Sequence, residues 1–210
     1  CPERVLPGNI IKELIENDRI VGGLDEASTE AAFLFYKSFV SGKILKTEAK
    51  TAEMCKLAEN SFRDVNIAFA NELSLICYKN GVDVWELIKL ANHHPRVNIL
   101  QPGTGVGGHC IAVDPWFLVS SDPKNSKLIK TAREVNNYKP RWIVENIINQ
   151  AHEFMNQYNR EPLIACLGLS FKPDIDDLRE SPALRVAEDL VESGIDLIVV
   201  EPNIKSHTSL

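Results

Sequence analysis

The sequence predicts an α/β fold with a central all-helical region. Near the start, two short strand patterns, RIVGG and GKILKT, flank a helical pattern, as at the end of an α/β unit. Near the end, two apolar strand patterns, LIACLGL and DLIVVEP, flank another helical pattern, which is typical of a parallel βαβ unit. Between them the periodicity is mainly helical. We therefore expect three parts: residues 1–45, residues 46–158 and residues 159–210.

Boundary signals place the helices within these parts. Asn80-Gly81 is a plausible C-terminal cap, so it ends the first long amphipathic helix. Pro140 predicts a kink or break in the second long helical stretch, DPKNSKLIK onward. The residues around Pro115 lead out of a glycine-rich loop without a helical first turn. The other expected helices cover 10–16, about 26–39, 47–79, the segment DVWELIKLANH and 183–193.

Composition limits the possible functions. The 210 residues are 44% hydrophobic and 25% charged, and their net charge of −6 argues against a general nucleic-acid or membrane-surface binder. No apolar run is long enough to span a bilayer. Five cysteines without regular spacing indicate a reducing compartment. We therefore expect a cytoplasmic protein that binds neither nucleic acid nor membrane.

The segment GTGVGGHCIAVDP, residues 103–115, has four glycines in six positions and then Cys110. It spells G-x-G-x-x-G, but a dinucleotide-binding turn must follow a strand and open a helix, and here Pro102 precedes the first glycine. A metal site, a flexible turn and a nucleophile site are the other interpretations. The nearby histidines lack the paired spacing of a structural zinc site, so no metal is predicted. Cys110 is the cysteine in a predicted loop, where reactive groups are commonly presented.

One face of the first long helix carries Lys56, Asn60 and Arg63, at i, i+4 and i+7. A solvated polar stripe is one interpretation of this pattern. The other is a site for an anionic or oxygen-rich ligand, because a lysine, an amide and an arginine all offer hydrogen-bond donors. The spacing alone does not decide between the two.

The segment GLSFKPDIDDLRESPAL, residues 168–184, follows a strand pattern and precedes a helix. It therefore lies at the carboxyl edge of the second sheet, where ligands bind in open α/β folds. Lys172 and Arg179 lie in this loop, and Ser181-Pro182 begins the helix. A lysine beside a helix N-terminus indicates an anion site, and a plain capped surface loop is the alternative.

Four segments together resemble one enzyme family. CPERVLPG, AEMCKLAENSFRDVNIAFANE, HHPRVNILQPGTGVGGHCIAVDPWF and GLSFKPDIDDLRESPAL are similar, in this order, to the NAD-dependent nucleotide-sugar 6-dehydrogenases of the UDP-glucose/GDP-mannose dehydrogenase family. The first and third most resemble the branch that oxidises UDP-N-acetylmannosamine to its uronic acid. The alternatives are UDP-glucose or another UDP-sugar as the substrate, or a non-catalytic nucleotide-sugar-binding dimerisation module.

The resemblance implies what each part of the chain does. Residues 1–45 would end an NAD-binding, Rossmann-like domain, residues 46–158 would form a central dimerisation and catalytic domain, and residues 159–210 would begin a UDP-sugar-binding α/β domain. The implied cofactor is NAD, and the implied partners are a UDP-sugar and a second copy of the chain, packed through the long helix. Because the family's N-terminal glycine-rich turn is not among these residues, we expect a fragment that is inactive by itself.

The resemblance also implies a mechanism. A C6 alcohol is oxidised twice, and a cysteine captures the intermediate aldehyde as a thiohemiacetal that becomes a thioester before hydrolysis. The glycines beside the thiol would leave room for the sugar. The implied catalytic residues are Cys110, Lys56, Asn60, Asp114 and Glu3. The implied sugar-nucleotide contacts are Arg4, Val5, Arg63, His94, Arg96, Gly107, Phe171 and Lys172.

Three further residues complete the expectations from the resemblance. Arg179 is implied to reach NAD, and Arg96 is implied to act across a dimer interface. Pro7 stands where the UDP-glucose branch carries an acid, which favours the N-acetylhexosamine branch.

Overall fold

The computed structural model describes residues 1–5, 8–172 and 174–204, so Pro7 lies outside the described residues. The chain divides into two compact units, Cys1–Asn60 and Ser61–Leu210. The helices are α1 (Ile10–Glu16), α2 (Glu26–Lys37), α3 (Ala49–Asn80), α4 (Val84–Ala91), α5 (Asp114–Ser121), α6 (Lys127–Tyr158) and α7 (Pro182–Glu192). The strands are β1 (Arg19–Gly23), β2 (Ile44–Glu48), β3 (Ile164–Leu167) and β4 (Leu197–Val200).

The first unit contains a two-stranded parallel sheet. β1 pairs with β2 from Arg19 opposite Ile44 onward, and α2 connects them. The helix begins where the Asp25 side chain accepts the Ser28 N–H and Ser28 returns a hydrogen bond to the main chain of Asp25, which is a capping box. The predicted βαβ pattern at the start of the chain is therefore confirmed.

Gly22 allows α3 to begin close beside this sheet. A Cβ at Gly22 would lie 2.5 Å from the main-chain oxygen of Glu48 and 2.9 Å from the Cβ of Ala52, in the first turn of α3. Any side chain at this position would push the start of the helix away from β1.

The second unit contains the second parallel pair. β3 pairs with β4 from Ile164 opposite Leu197 onward, and α7 is the crossover between them. Val186 and Leu190 on α7 pack against Val144 on α6, so the apolar face of α7 joins the sheet to the long helix. The expected α/β fold with a central helical region is confirmed.

Pro140 does not break α6, which runs without interruption from Lys127 to Tyr158. The predicted break is therefore wrong. A proline lacks the N–H that would bond to the main-chain oxygen four residues earlier, here that of Asn136. Gly105 packs at this point: a Cβ added to Gly105 would lie 3.2 Å from that oxygen and 3.2 Å from Cγ of Pro140. The proline thus contributes to the surface that receives the glycine loop.

The loop is followed by a helix that the sequence did not predict. α5 begins at Asp114, with Pro115 in its first turn, where a proline is well tolerated. Our expectation that these residues lead out of the loop without helical structure is wrong. None of the helices in the described part of the chain combines the length and apolar character that a bilayer-spanning helix needs.

Candidate active site

The glycine loop does not have the setting of a dinucleotide-binding turn. No strand precedes it in the described residues between α4 and the loop, and five residues of turn separate its last glycine from α5. These observations agree with the prediction that its G-x-G-x-x-G spelling is incidental.

The glycines are explained by close packing within the second unit. A Cβ at Gly107 would lie 2.6 Å from the Cβ of Phe171 and 2.7 Å from the main-chain oxygen of Glu180. Gly108 has a φ of +81°, and a Cβ added to it would lie 3.0 Å from the Phe171 ring. The space left by these two missing side chains is occupied by protein, so our expectation that they make room for a sugar is wrong for these positions.

A turn fixes Cys110 directly after the loop. Its main-chain oxygen accepts hydrogen bonds from the N–H groups of Val113 (3.0 Å) and Asp114 (2.8 Å). Cys110 is half-buried and carries a free thiol. Val113 and neighbouring Ala112 also line a cleft of about 770 Å³ that continues along α6 and the start of α7. The turn therefore holds the thiol-bearing residue and the first residue of α5 in one rigid segment.

The segment after β3 is tied to this loop. The N–H of Gly108 donates to the main-chain oxygen of Arg179 over 3.2 Å. The guanidinium of Arg179 in turn binds Asp177 through Nε–Oδ1 (2.9 Å) and Nη2–Oδ2 (2.7 Å). Asp177 was not among the predicted site residues, although an aspartate two residues before an arginine in a turn is a recognisable signal.

An ion pair between Arg179 and Asp177 lies beside the loop that leads to Cys110. Hydrogen bonds from Arg179 lower the pKa of Asp177 to about 2, with a smaller contribution from the charge of His109. The pKa of Arg179 is raised, chiefly by its hydrogen bonds to Asp177 and to a smaller degree by the charge of Cys110.

Phe171 and Lys172 occupy the loop after β3. Phe171 packs on Gly107 and Gly108, and Nζ of Lys172 lies 5.5 Å from the centre of the Phe171 ring. Glu201, which follows β4, accepts hydrogen bonds from the N–H groups of Leu169 (2.8 Å) and Ser170 (3.1 Å), so it fixes the start of this loop.

In the first unit, Glu3, Arg4 and Lys56 lie together. Nζ of Lys56 donates to the main-chain oxygen of Glu3 over 2.7 Å. The carboxylate of Glu3 lies 3.3 Å from Nη1 of Arg19, which is 3% exposed and was not predicted to belong to the site. Arg4 forms an ion pair with Glu59 on α3. The structure therefore anchors the N-terminal segment to α3 through the predicted residues themselves.

The remaining predicted residues differ in exposure. Val5 is half-buried, Asn60 is buried, and Arg63 is exposed on α3. His94 and Arg96 lie in the exposed turn after α4, where Nδ1 of His94 accepts the N–H of Arg96 over 3.3 Å. Over 1–5, 8–172 and 174–204, no group of three or more histidine, cysteine, aspartate or glutamate residues is arranged to hold a metal ion.

The chain is similar to proteins of one family along its length. Residues 50–138 match the central domain of the UDP-glucose/GDP-mannose dehydrogenase family, and residues 165–209 match the UDP binding domain of that family. A UDP-N-acetyl-D-mannosamine dehydrogenase of Campylobacter jejuni is 62% identical over 98% of this chain and 49% of its own length. An NDP-N-acetyl-D-galactosaminuronic acid dehydrogenase of Ralstonia solanacearum is 59% identical over 98% of this chain and 48% of its own length.

A solved structure of the same kind of enzyme is also similar to this chain. The UDP-D-ManNAc dehydrogenase of Pyrococcus horikoshii has a TM-score of 0.89 and 47% identity, with all of this chain and 50% of that chain covered. The chain spans about half the length of the curated relatives it matches.

Proposed function

Because the chain belongs to the UDP-glucose/GDP-mannose dehydrogenase family, we propose that it carries catalytic residues of an NAD-dependent UDP-N-acetyl-D-mannosamine 6-dehydrogenase. The observation that carries the proposal is the Cys110 turn, which directly follows the glycines packed against the loop after β3. The relatives at about 60% identity are a UDP-N-acetyl-D-mannosamine dehydrogenase and an NDP-N-acetyl-D-galactosaminuronic acid dehydrogenase. An NDP-N-acetyl-D-galactosaminuronic acid dehydrogenase is the second candidate, supported by the Ralstonia relatives.

The proposed reaction oxidises the C6 alcohol of the sugar to a carboxylate. Bound NAD would supply the hydride acceptor, and one NAD would be consumed in each of the two oxidations. After the first, the Cys110 thiolate adds to the C6 aldehyde and gives a thiohemiacetal. The second oxidation converts it to a thioester, and water releases the carboxylate and regenerates the thiol. The half-buried, free thiol of Cys110, held in the turn directly before α5, supports this role.

Further charged and polar groups are proposed to assist this chemistry. Lys56 and Asn60 are proposed to transfer protons and stabilise oxyanion charge at C6. Glu3 is proposed to act near the hydrolytic water, and its main-chain oxygen accepts the hydrogen bond from Lys56, so the two proposed residues are neighbours. Asp114 is proposed to assist the base and water steps, supported by its place in the Cys110 turn.

The substrate would be held mainly by cations and aromatic or main-chain surfaces. Lys172 is proposed to bind the UDP diphosphate, because it is a cation at the carboxyl edge of the β3–β4 sheet, where ligands bind in α/β folds. The other proposed contacts are Arg4, Val5, Arg63, His94, Arg96, Gly107 and Phe171.

Among the described residues, Arg179 fits a role in binding NAD, whereas the glycine loop does not. Nε and Nη2 of Arg179 bind Asp177, its side chain is 66% exposed, and Nη1 is the guanidinium nitrogen left to bind a phosphate oxygen. The glycine loop follows no strand, and its glycines face protein atoms.

We also propose a homodimer through α3. Phe62, Phe69 and Ile76 are 70%, 54% and 51% exposed and recur every seven residues, which is the spacing of a helix-pairing seam. Arg96 would reach the partner's site in this dimer. The five free cysteines support a reducing, cytoplasmic location, and the family matches that begin at residues 50 and 165 support the division at 46 and 159.

The test is turnover of the full-length protein with a panel of UDP-sugars and NAD. We expect NADH formation with UDP-N-acetylmannosamine, and its loss in Cys110→Ser while binding of the UDP-sugar is retained. Cys166→Ser is the matched control, because burial raises the pKa of this thiol and it lies in β3. Wild-type turnover by Cys110→Ser would remove the nucleophile role, and preference for the galactosamine epimer would select the second candidate.

A further inference from the structure

A chain of hydrogen-bonded polar side chains lies buried between α3 and α6 in the second unit. Asn71 on α3 donates from Nδ2 to Oδ1 of Asn136 on α6, 2.9 Å away. Asn136 donates from Nδ2 to Oδ1 of Asp64, 2.8 Å away, and the same oxygen accepts a 2.6 Å hydrogen bond from Nη1 of Arg133. All four side chains are at most 3% exposed, so water does not compete for these bonds.

One end of this chain lies on the main chain of the glycine loop. The N–H of Gly103 donates to Oδ1 of Asn71 over 2.8 Å. Gly103 belongs to the stretch between α4 and α5 that forms neither helix nor strand, so a side-chain partner holds its N–H. Two residues later, Gly105 packs against Asn136 and Pro140 on α6. The start of the loop that leads to Cys110 is therefore held at two adjacent points.

The two ends fix the orientation of both amides. A main-chain N–H can only donate, so it requires the oxygen of Asn71, and the nitrogen of Asn71 is left to face Asn136. At the other end an ionised carboxylate can only accept, so Asp64 requires the nitrogen of Asn136. Arg133 supplies the opposite charge that a buried carboxylate needs. The orientation of Asn71 toward the loop is thus set by Asp64 through Asn136.

Pairing of the two helices does not require a contact to the loop. Nζ of Lys139 on α6 donates to Oγ of Ser74 on α3 over 2.5 Å, and this partly buried bond joins the same helices through side chains at both ends. The contact from Asn71 to Gly103 differs, because it ends on the main chain of the loop.

We propose that Asn71 is a positioning residue that, oriented by Asp64 and Asn136, sets the place of the glycine loop and so of the Cys110 thiol relative to the sugar C6. The proposal rests on the proposed function of Cys110. It names a residue that touches neither substrate nor cofactor and acts through the main chain of Gly103.

The first test replaces Asn71 by a side chain of similar size without an acceptor. In the full-length protein we expect Asn71→Leu to lower kcat at least about tenfold, because small displacements of a reacting group are costly. The KM for the UDP-sugar should change less than kcat, and the rate at which iodoacetamide alkylates Cys110, followed by mass spectrometry of its peptide, should change as well. Lys139→Met is the matched control: it removes the partly buried bond between the same helices from the α6 side, keeps the bond from Oγ of Ser74 to the main-chain oxygen of Asn71, and should leave kcat and alkylation near wild type.

A double-mutant cycle tests the orientation and also serves if Asn71→Leu does not fold. Asn136→Leu removes the amide that orients Asn71 and leaves the Arg133–Asp64 ion pair in place. We expect Asn136→Leu to change kcat and Cys110 alkylation in the same direction as Asn71→Leu. If Asn136 acts through Asn71, the double variant should be no worse than Asn71→Leu alone.

The outcomes separate this proposal from the proposed function. Values of kcat and alkylation in Asn71→Leu that match those in Lys139→Met would overturn the positioning role. Effects of Asn71→Leu and Asn136→Leu that add in full would overturn it as well. Alkylation of Cys110 needs no turnover, so it reports on the loop even if Cys110→Ser shows that the thiol is not the nucleophile.

Discussion

Arg179 binds Asp177 through two parallel hydrogen bonds while its own main-chain oxygen accepts the N–H of Gly108. One residue therefore joins the acidic turn after β3 to the loop that carries Cys110. With a pKa of about 2, Asp177 stays ionised over the whole pH range in which such an enzyme would be assayed, so the pair persists.

Asp177→Asn should weaken the binding of NAD. The amide cannot hold both Nε and Nη2 as acceptors, so the guanidinium loses the orientation in which Nη1 is free for a phosphate. We expect kcat/KM for NAD to fall roughly fivefold or more, since oriented charge contributes to positioning, with little change in the KM for the UDP-sugar.

The control for that prediction is Asp189→Asn. Asp189 accepts a 2.8 Å hydrogen bond from Nε of Arg185 on α7, a comparable arginine–aspartate contact. Equal effects of the two changes on NAD kinetics would contradict a specific role for Asp177.

Lys56→Ala and Arg63→Ala should change different kinetic constants. Lys56 is proposed to act on the developing charge at C6, so its loss should lower kcat about 100-fold. Arg63 is proposed to hold the substrate equally in the ground and transition states, so its loss should mainly raise KM. Steady-state kinetics of the full-length protein measure both. Lys79→Ala, an exposed lysine at the end of α3, is the control, and a kcat unchanged by Lys56→Ala would remove the catalytic role.

Glu201 should make the second unit sensitive to acid. The N–H groups of Leu169 and Asn203 lower the pKa of Glu201 from 4.5 to about 2. A carboxylate whose pKa is lower in the folded state stabilises that state above its unfolded pKa, and this contribution is lost as the pH falls from about 4.5 toward 2.

Glu201→Gln removes this titration. The free energy of unfolding, measured with urea at about pH 6 and about pH 3, should fall less in Glu201→Gln than in the wild type. Glu192→Gln, at the exposed end of α7, is the control and should follow the wild-type curve. Identical acid dependence in Glu201→Gln and the wild type would show that the Leu169 contact does not act as described.

Local signals in the sequence predicted the elements well. Gly81 ends α3 with a φ of +65°, as its cap pattern indicated. The alternation of strand and helix patterns predicted the strands of both pairs and the parallel pairing of β3 with β4. α5 was not predicted, although Asp114-Pro115 is a helix-start signal. The apolar run that follows is too short to show helical periodicity. Pro140 was predicted to kink or break α6 because a proline removes one main-chain hydrogen bond, yet the helix continues through it.

The candidate site was less predictable, since its partners are distant in sequence. From the sequence alone, Asn71 cannot be distinguished from a solvent-exposed asparagine on a helix. Its role depends on its contacts with Asn136 on α6 and with Gly103 in the loop. The partners of Gly107 come from the segment after β3, so the resemblance implied room for a sugar where the structure has Phe171. Long-range contacts of this kind carry no periodic signal.

Phe69→Glu should dissociate the proposed dimer. Phe69 is 54% exposed and lies midway between Phe62 and Ile76 on the same face of α3, so a charge there would be buried without a partner when two copies pair. We expect the wild-type protein to sediment as a dimer at micromolar concentration and Phe69→Glu to sediment as a monomer. Leu24→Glu is the control, because Leu24 is 96% exposed and lies outside α3. A wild-type protein that sediments only as a monomer, or a Phe69→Glu variant that remains dimeric, would contradict pairing through this face.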